Sequence, residues 1–329
     1  MKAIVQTEYG SAEVLHVADV ERPTLTDQGV LVRVQAAGVH AGDWHLMRGT
    51  PFLIRFIYGG LRRPQIPILG TDAAGYVEAV GPAVTQFQPG DAVFGDLSSS
   101  GFGAFAEYVC APETAWVLKP PHLSFAEAAT VPASALAALQ GLRDGGQLQA
   151  GQQVLVYGAA GGVGSFAVQL AKAWGATVTG VCSAAKVEWV QALGADAALD
   201  YATAAARLRE PRYDLIFDAA AYRPFWYFLP ALTPDGTYVW VGGAMAGLVQ
   251  AMLLGPLLAK LRRRRVTWLV SEPRPADLKV LQALLTAGKL RPCLDRCYPL
   301  SEVPAALRAL EARQVRGKLA IQISADLSP

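Results

Sequence analysis

Apolar residues change rhythm along the chain. Up to about residue 120 they come in short runs, "KAIVQT", "VLVRVQAAGV", "GYVEAV", "DAVFG" and "AFAEYVCA", each bounded by Gly, Pro or Asp. Runs of this kind predict short strands, and their spacing predicts a small β-rich barrel. Pro120 and Pro121 in "LKPPHLSF" then stiffen the chain. From residue 126 strands and helices alternate. "AEAATVPASALAALQGL" is helical in composition, "VLVY" is a buried strand, and "VGSFAVQLAKAW" places Val163, Phe166, Ala167, Leu170, Ala171 and Trp174 on one helical face. Strands "TVTGVC", "AALD", "YDLIFD", "TYVWVG" and "VTWLV" follow, with helix "KVEWVQALG" after the first. Six short apolar strands joined by helices predict an α/β domain with a doubly wound parallel sheet. Beyond Pro273 and Pro275, "ADLKVLQALLTAG" and "PLSEVPAALRALEA" read as helices and "GKLAIQI" as a strand. Their mixed character matches the first region, so the expected division is 1–124 with 273–329, and 125–272.

Length and composition narrow the class. A chain of 329 residues exceeds what one core usually supports, and 52% hydrophobic with 17% charged residues describes packed globular domains. The net charge of +2 gives no bulk drive towards nucleic acid, and "RRRR" (Arg262 to Arg265) reads as a solvated turn. Cys110, Cys182, Cys293 and Cys297 contain no Cys-x-x-Cys pair, which argues against a zinc ribbon or a disulfide framework. The N-terminus lacks the apolar centre of a signal peptide. The run "AMAGLVQAMLLGPLLA" (244–259) is broken by Gln250 and Pro256 and reads as a buried or pocket-lining helix, too short to span a bilayer. A cytoplasmic protein with no membrane span is expected.

Chemistry concentrates first in "YGAAGGVG" (157–164), between a strand and a helix. Against the G-x-G-x-x-G template it fits as Ala159-x-Gly161-x-x-Gly164, with Gly158 and Gly162 adding freedom. Free N–H groups and the positive end of the helix dipole suit a pyrophosphate there. A Walker loop is excluded because Gly-Lys-Ser/Thr is missing. The second strand ends at Cys182-Ser183, where an NAD enzyme usually carries an acid for the ribose. The tract here is "CSAAK": Ser183 offers a hydrogen bond and Lys186 a positive charge. A carboxylate at that place would repel a 2′-phosphate by about 4 kcal/mol at intermediate dielectric. NADPH is therefore favoured, with Lys186 as a plain exposed helix residue the competing reading. Tyr201, just past the next strand, is a third candidate contact.

The motifs "AAGVHAGDWHLMRG", "ILGTDAAGYVEAVG", "QPGDAVFG", "GAFAEYV", "VLVYGAAGGVGSFAVQLAKAWGATVTGVCS", "LGADAALDY" and "GKLAIQI" together resemble the medium-chain dehydrogenase/reductase superfamily. Within it the chain is similar to the zinc-independent quinone oxidoreductase branch, including the reticulon-interacting oxidoreductases, from Met1 to about Ile323. The resemblance implies a GroES-like catalytic domain and a Rossmann domain. It also implies cofactor contacts at Ala160, Gly161, Gly162 and Val163 for the pyrophosphate, Ser183, Lys186 and Tyr201 at the adenosine end, and Ala219 and Val241 beside the nicotinamide half. Lys318, in "RGK", would reach the cofactor from the returning segment.

Departures from the alcohol dehydrogenases of that superfamily bear on the metal. Where those carry a zinc-ligand Cys after "GV" and a second ligand in "GHE", this chain has His40 and Gly70-Thr71-Asp72. "GDLSSSGFGAF" (95–105) replaces the four-cysteine structural lobe. His40, Asp43 and Asp72 would make only an improvised three-ligand set, so no zinc is expected. Without a metal, hydride addition to a quinone or an α,β-unsaturated carbonyl is the easier reaction, needing only mild stabilisation of charge on oxygen. His40 stands where the branch commonly has Asn; it is either a donor to a developing enolate or a structural bond in the wall. Asp43 and the phenol of Tyr58 are the other catalytic candidates, and Trp44 and His45 are candidates for lining the pocket. The expected protein is an NADPH-dependent, zinc-independent reductase, paired as a homodimer along an apolar sheet edge at "TYVWVG". A non-catalytic NADPH-binding sensor or scaffold and a zinc alcohol dehydrogenase remain the rival readings.

Overall fold

The computed structural model describes residues 1–58, 60–242, 249, 251–252, 255 and 263–324. Most of the predicted 244–259 helix, and Arg262 of the basic run, lie outside the described residues. The chain divides into two compact units: Met1–Ala133 with Pro273–Ala287 and the segment from Pro292 on, and Ser134–Glu272 with Gly288–Arg291.

The first unit is built on strands. β1 (Lys2–Val5) pairs antiparallel with β2 (His16–Asp19). β3 (Gly29–Val39), β4 (Asp72–Val80), β5 (Ala92–Asp96), β6 (Tyr108–Pro112), β7 (Trp116–Leu118), and the late strands β14 (Leu294–Pro299) and β15 (Lys318–Gln322) form a seven-stranded sheet. Its order is β14-β15-β3-β4-β5-β7, with β6 also on β3, and β15 runs antiparallel to β3. β3 is buried along nearly all its length, and its apolar residues are interrupted only by Arg33 and Gln35. Two helices, α1 (Ala41–Arg48) and α2 (Leu53–Ile57), follow β3. The sequence reads none of α1, α2 or β14. Strand β14, "LDRCYP", is mostly exposed or half-buried and carries no alternation to detect.

The predicted helix over "AEAATVPASALAALQGL" breaks in two, α3 (Phe125–Ala129) and α4 (Pro132–Gln140). Pro132 removes an N–H and disfavours helical geometry at Val131, so one continuous helix cannot form. A capping box of Ser124 and Glu127 starts α3, and Phe125 packs edge-on against Tyr76 of β4 at 4.8 Å between ring centroids. That packing assigns residues 125–133 to the first unit, where the sequence pattern groups them with the parallel sheet.

The second unit is the parallel sheet: β8 (Gln153–Tyr157), β9 (Thr177–Cys182), β10 (Ala197–Asp200), β11 (Tyr213–Asp218), β12 (Leu232–Trp240) and β13 (Arg265–Trp268), ordered β10-β9-β8-β11-β12-β13. This is the doubly wound order in which ligands sit beyond the carboxyl ends of the strands, where the order reverses between β8 and β11. Helices α5 (Gly162–Ala173), α6 (Val187–Ala192) and α7 (Tyr201–Arg207) belong to it. Phe166, Ala167, Leu170 and Ala171 of α5 are buried, as the helical spacing predicts, while Val163 and Trp174 are half-buried. One expectation is overturned: β12, "TYVWVG", lies between β11 and β13, so the sheet edge is β13. Both strands are apolar, and hydropathy alone does not say which is outermost. Helices α8 (Pro275–Thr286) and α9 (Val303–Glu311) follow in the returning part of the chain.

Candidate functional site

In the second unit, the loop after β8 separates the roles of its glycines. Gly158 adopts φ +87°, a conformation that penalises any Cβ, and turns the chain out of the strand. Its N–H and that of Ala159 both donate to the Val181 carbonyl at 2.9 Å, tying the loop to β9. A Cβ on Gly164 would overlap the Gly158 carbonyl oxygen, so glycine there permits the contact of helix with strand. Gly161, at φ −87° and ψ 176°, precedes α5. A Cβ there would meet nothing nearer than the Gly158 oxygen at 3.4 Å, an ordinary contact. No side chain caps α5, so the N–H groups of its first turn have no intrahelical acceptor. Uncapped amides beside an open glycine fit the pyrophosphate of a dinucleotide.

The remaining candidates in this unit follow successive strands at the same carboxyl edge. Exposed Ser183 follows β9 and begins a tight turn that closes through Lys186 N–H to the Ser183 carbonyl at 2.9 Å. Tyr201 follows β10 and sets its ring edge-on to Tyr157 at 5.1 Å, which brings it beside the glycine loop. Ala219 follows β11 and donates to the Tyr157 carbonyl at 2.9 Å; Val241 follows β12 and donates to the Asp218 carbonyl at 3.0 Å. Asp200, in register with Cys182, is an acid at this edge that the search after the second strand did not reach. Its Oδ1 accepts from the N–H groups of Ala202 at 2.7 Å and Thr203 at 3.0 Å, capping α7, and these bonds hold its pKa below the usual range. Sequence reading also missed Asp218, which is fully buried and accepts from Ala220, Ala221 and the Tyr238 hydroxyl. Burial pushes its pKa up to about 6 against those bonds.

In the first unit, strand register gathers four ionisable residues into a row. Asp72 opens β4 opposite Gly38 of β3 on one side and Asp96, the last residue of β5, on the other. Lys318 opens β15, whose Leu319 pairs with Val39, next to His40. Lys318 is 3% exposed, and its Nζ lies 3.4 Å from Asp72 Oδ2. The sequence expects Lys318 to reach the cofactor; the fold commits its ammonium to this buried pair. Asp72 Oδ1 accepts the Ala133 N–H at 2.9 Å. Burial raises Asp72 to about 7 and Asp43 to about 6, in both cases against the lowering pull of Lys318. Asp96 is also raised, chiefly by burial. Nothing local in sequence signals this row, because its members come together only through pairing of strands far apart in the chain.

His40 caps α1. Its Nδ1 accepts the Gly42 N–H at 3.0 Å, and its own backbone N–H donates to Asp43 Oδ2 at 2.8 Å. An accepting Nδ1 leaves the proton of the neutral ring on Nε2. Burial, then the charges of Lys318 and His45, push its pKa down to about 3. His40 is therefore neutral at physiological pH. Asp43, proposed with it for catalysis, is wholly buried and receives the Gly70 N–H and the Thr71 hydroxyl, both at 3.2 Å. It holds two loops together. Tyr58 is 40% exposed beyond α2, with its ring edge-on to Phe102 at 5.5 Å. Trp44 packs against the core of the unit, and His45 Nδ1 is bonded to the Thr50 carbonyl at 2.8 Å.

These donors do not fit a zinc ion. Thr71 supplies a hydroxyl already given to Asp43, and an ammonium stands against Asp72. A divalent ion would have to sit beside that buried positive charge. Among the described residues no group of three or more His, Cys, Asp or Glu is placed to share a metal.

Two measurements check this geometry. Gly161→Ala is expected to keep the melting temperature within a few degrees while weakening dinucleotide binding, whereas Gly164→Ala is expected to destabilise the second unit itself. Calorimetry with thermal melts separates the two. For Asp218, the folded carboxyl binds its proton more tightly than the unfolded one, so stability falls as pH rises from about 4 to about 6. At ~1.4 kcal/mol per unit, the shift corresponds to about 3 kcal/mol at most. Asp218→Asn keeps the acceptor and is expected to flatten that part of a urea-denaturation pH profile.

Comparisons with known proteins agree with the architecture. Residues 26–122 match the alcohol dehydrogenase GroES-like domain, and residues 193–321 match a family described as zinc-binding dehydrogenase. The chain is 33% identical to the chloroplast envelope quinone oxidoreductase homolog of Arabidopsis thaliana, covering 98% of each protein. It is 31% identical to the chloroplastic NADPH-dependent alkenal/one oxidoreductase of the same plant, over 98% of this chain and 79% of that one. The structure of the quinone oxidoreductase from Coxiella burnetii superposes with a TM-score of 0.86 at 30% identity, covering 98% of this chain and 99% of that one. With this similarity running the length of both units, the chain belongs to the quinone oxidoreductase branch of the medium-chain dehydrogenase/reductase superfamily.

Proposed function

We propose that the protein is an NADPH-dependent oxidoreductase of the cytoplasm that delivers hydride to a quinone or an α,β-unsaturated carbonyl without zinc. The observation that carries this reading is the array of loop amides and side chains at the carboxyl ends of β8 to β12, with Ser183 and Lys186 where an NAD enzyme would place an acid. Asp200 is the nearest carboxylate in register, and its capping bonds to α7 turn it away from that role. The names of the two Arabidopsis relatives, a quinone oxidoreductase homolog and an NADPH-dependent alkenal/one oxidoreductase, support the acceptor class and the cofactor.

A bound nicotinamide cofactor supplies the hydride. The residues of this chain do the holding: amides of Ala160, Gly161, Gly162 and Val163 take the pyrophosphate, Ser183, Lys186 and Tyr201 the adenosine end, and Ala219 and Val241 flank the nicotinamide half. When the acceptor's ring or β-carbon gains hydride, its displaced electron pair ends on oxygen, which then takes a proton from solvent. Neutral His40, with its proton on Nε2, is suited to donate a hydrogen bond to that oxygen and unsuited to act as a cationic acid. Asp43 serves as the residue that positions it. A homodimer would pair through β13, the true sheet edge, where Trp268 and Val270 are exposed.

Purified protein mixed with NADPH and a panel of quinones and enones is expected to oxidise NADPH with at least one acceptor, and chelator treatment is expected to change nothing. Lys186→Ala should raise the KM for NADPH about tenfold or more while leaving that for NADH unchanged. No oxidation with any acceptor defeats the reading. For His40, the expected kcat profile is flat with respect to imidazole titration from about pH 5 to about 9. His40→Asn should keep most activity, and His40→Ala should lose about ten- to a hundredfold in kcat.

A further inference from the structure

Between Asp43 and Asp72 the chain contains no acidic residue, yet it carries Arg48, Arg55, Arg62 and Arg63. The net charge of the whole protein conceals this local excess. Arg48 is consumed by an ion pair with Glu311. Arg55 is tied to the Gly49 carbonyl and lies over the Tyr9 and Phe52 rings. Arg62 and Arg63 are exposed and form no ion pair among the described residues.

The same stretch exposes large apolar side chains. Phe52 is 58% exposed, Leu53 52%, Phe56 59% and Ile57 63%, all in or beside α2, and Leu61 follows at 49%. The spacing i, i+4 stacks Phe52 with Phe56, their rings edge-on at 5.4 Å, and places Leu53 with Ile57. Four large apolar side chains, each more than half exposed within six residues, form a contiguous patch rather than scattered surface hydrophobes. Such a patch marks a surface that meets something apolar, and two exposed arginines in a stretch without acidic residues specify that the partner is negative as well.

We propose that α2 and the following residues to Arg63 form a peripheral docking surface for an anionic lipid bilayer, with Phe52, Leu53, Phe56 and Ile57 entering the interface and Arg62 and Arg63 meeting lipid phosphates. Aromatic and aliphatic side chains flanked by arginine match the acyl boundary and the charged headgroups respectively. No helix among the described residues is long and apolar enough to cross a membrane, so the contact is superficial and reversible. This goes beyond the proposed oxidoreductase activity and does not rest on it.

The test is co-sedimentation of the full-length protein with phosphatidylcholine vesicles, with and without phosphatidylglycerol, at low and high salt. Binding is expected only to the vesicles containing phosphatidylglycerol, and weaker at high salt. Arg62→Gln with Arg63→Gln should weaken it about 25-fold, near fivefold for each charge. Phe52→Ser with Phe56→Ser should abolish it. The arginine variant changes only exposed residues and keeps the test valid if the phenylalanine variant misfolds. Equal binding to both vesicle types, no binding to either at low salt, or unchanged binding by the arginine variant would overturn the proposal. So would a phenylalanine variant that shifts the native mass to a smaller assembly, since the patch would then be an interface between copies of this chain.

Discussion

The Gly158 carbonyl and the α-carbon of Gly164 approach so closely that no side chain fits between them. That contact sets where α5 begins relative to β8, and so where the uncapped amides of its first turn point. Everything at the carboxyl edge of the parallel sheet is arranged around this fixed start. Val181 anchors the loop from β9, Tyr201 leans on Tyr157, and Ala219 is bonded back to the Tyr157 carbonyl. A parallel sheet ends all its strands on one side, so short segments distant in sequence need only follow their strands to converge. The Asp218–Tyr238 bond, buried beneath that edge, braces β11 against β12.

The first unit solves a different problem, that of keeping charge inside a packed sheet. Asp72, Asp96 and Lys318 meet where β4, β5 and β15 begin or end, with Asp43 of α1 near enough to act on Asp72. Removing charges from water costs several kcal/mol each unless they are paired or neutralised, and both remedies are in use here. Lys318 pairs with Asp72, while burial drives the carboxyls towards their protonated forms. Burial, reinforced by the positive charge left in the row, also keeps His40 from accepting a proton. One buried lysine thus discourages a metal ion there and adds to the burial that disfavours an imidazolium.

Much of this was legible in the chain itself. The six strands of the second unit and the glycine loop carry strong local patterns, because each strand is predominantly apolar and the loop needs glycine for steric reasons. The row around Lys318 was not legible, since it arises from register between strands, and register leaves no trace in any one segment. Lys318 was therefore assigned to the cofactor when its partner is Asp72. The helix break at Pro132 was visible in retrospect, whereas the position of β13 outside β12 depends on pairing that hydropathy does not encode. The basic, acid-free stretch of α2 lay in plain view and gained meaning only when its apolar side chains proved to be exposed.

Strand β15 has a consequence for how the molecule is made. It lies between β14 and β3, and its Lys318 neutralises a carboxyl 246 positions earlier. During synthesis on the ribosome, β3 and Asp72 emerge long before β15 and Lys318. The nascent first unit must wait with an open sheet edge, while the second unit, continuous from Ser134 to Glu272 apart from four later residues, has nearly its whole sequence in hand. Vectorial folding would therefore let the second unit close first, with β15 docking onto β3 afterwards.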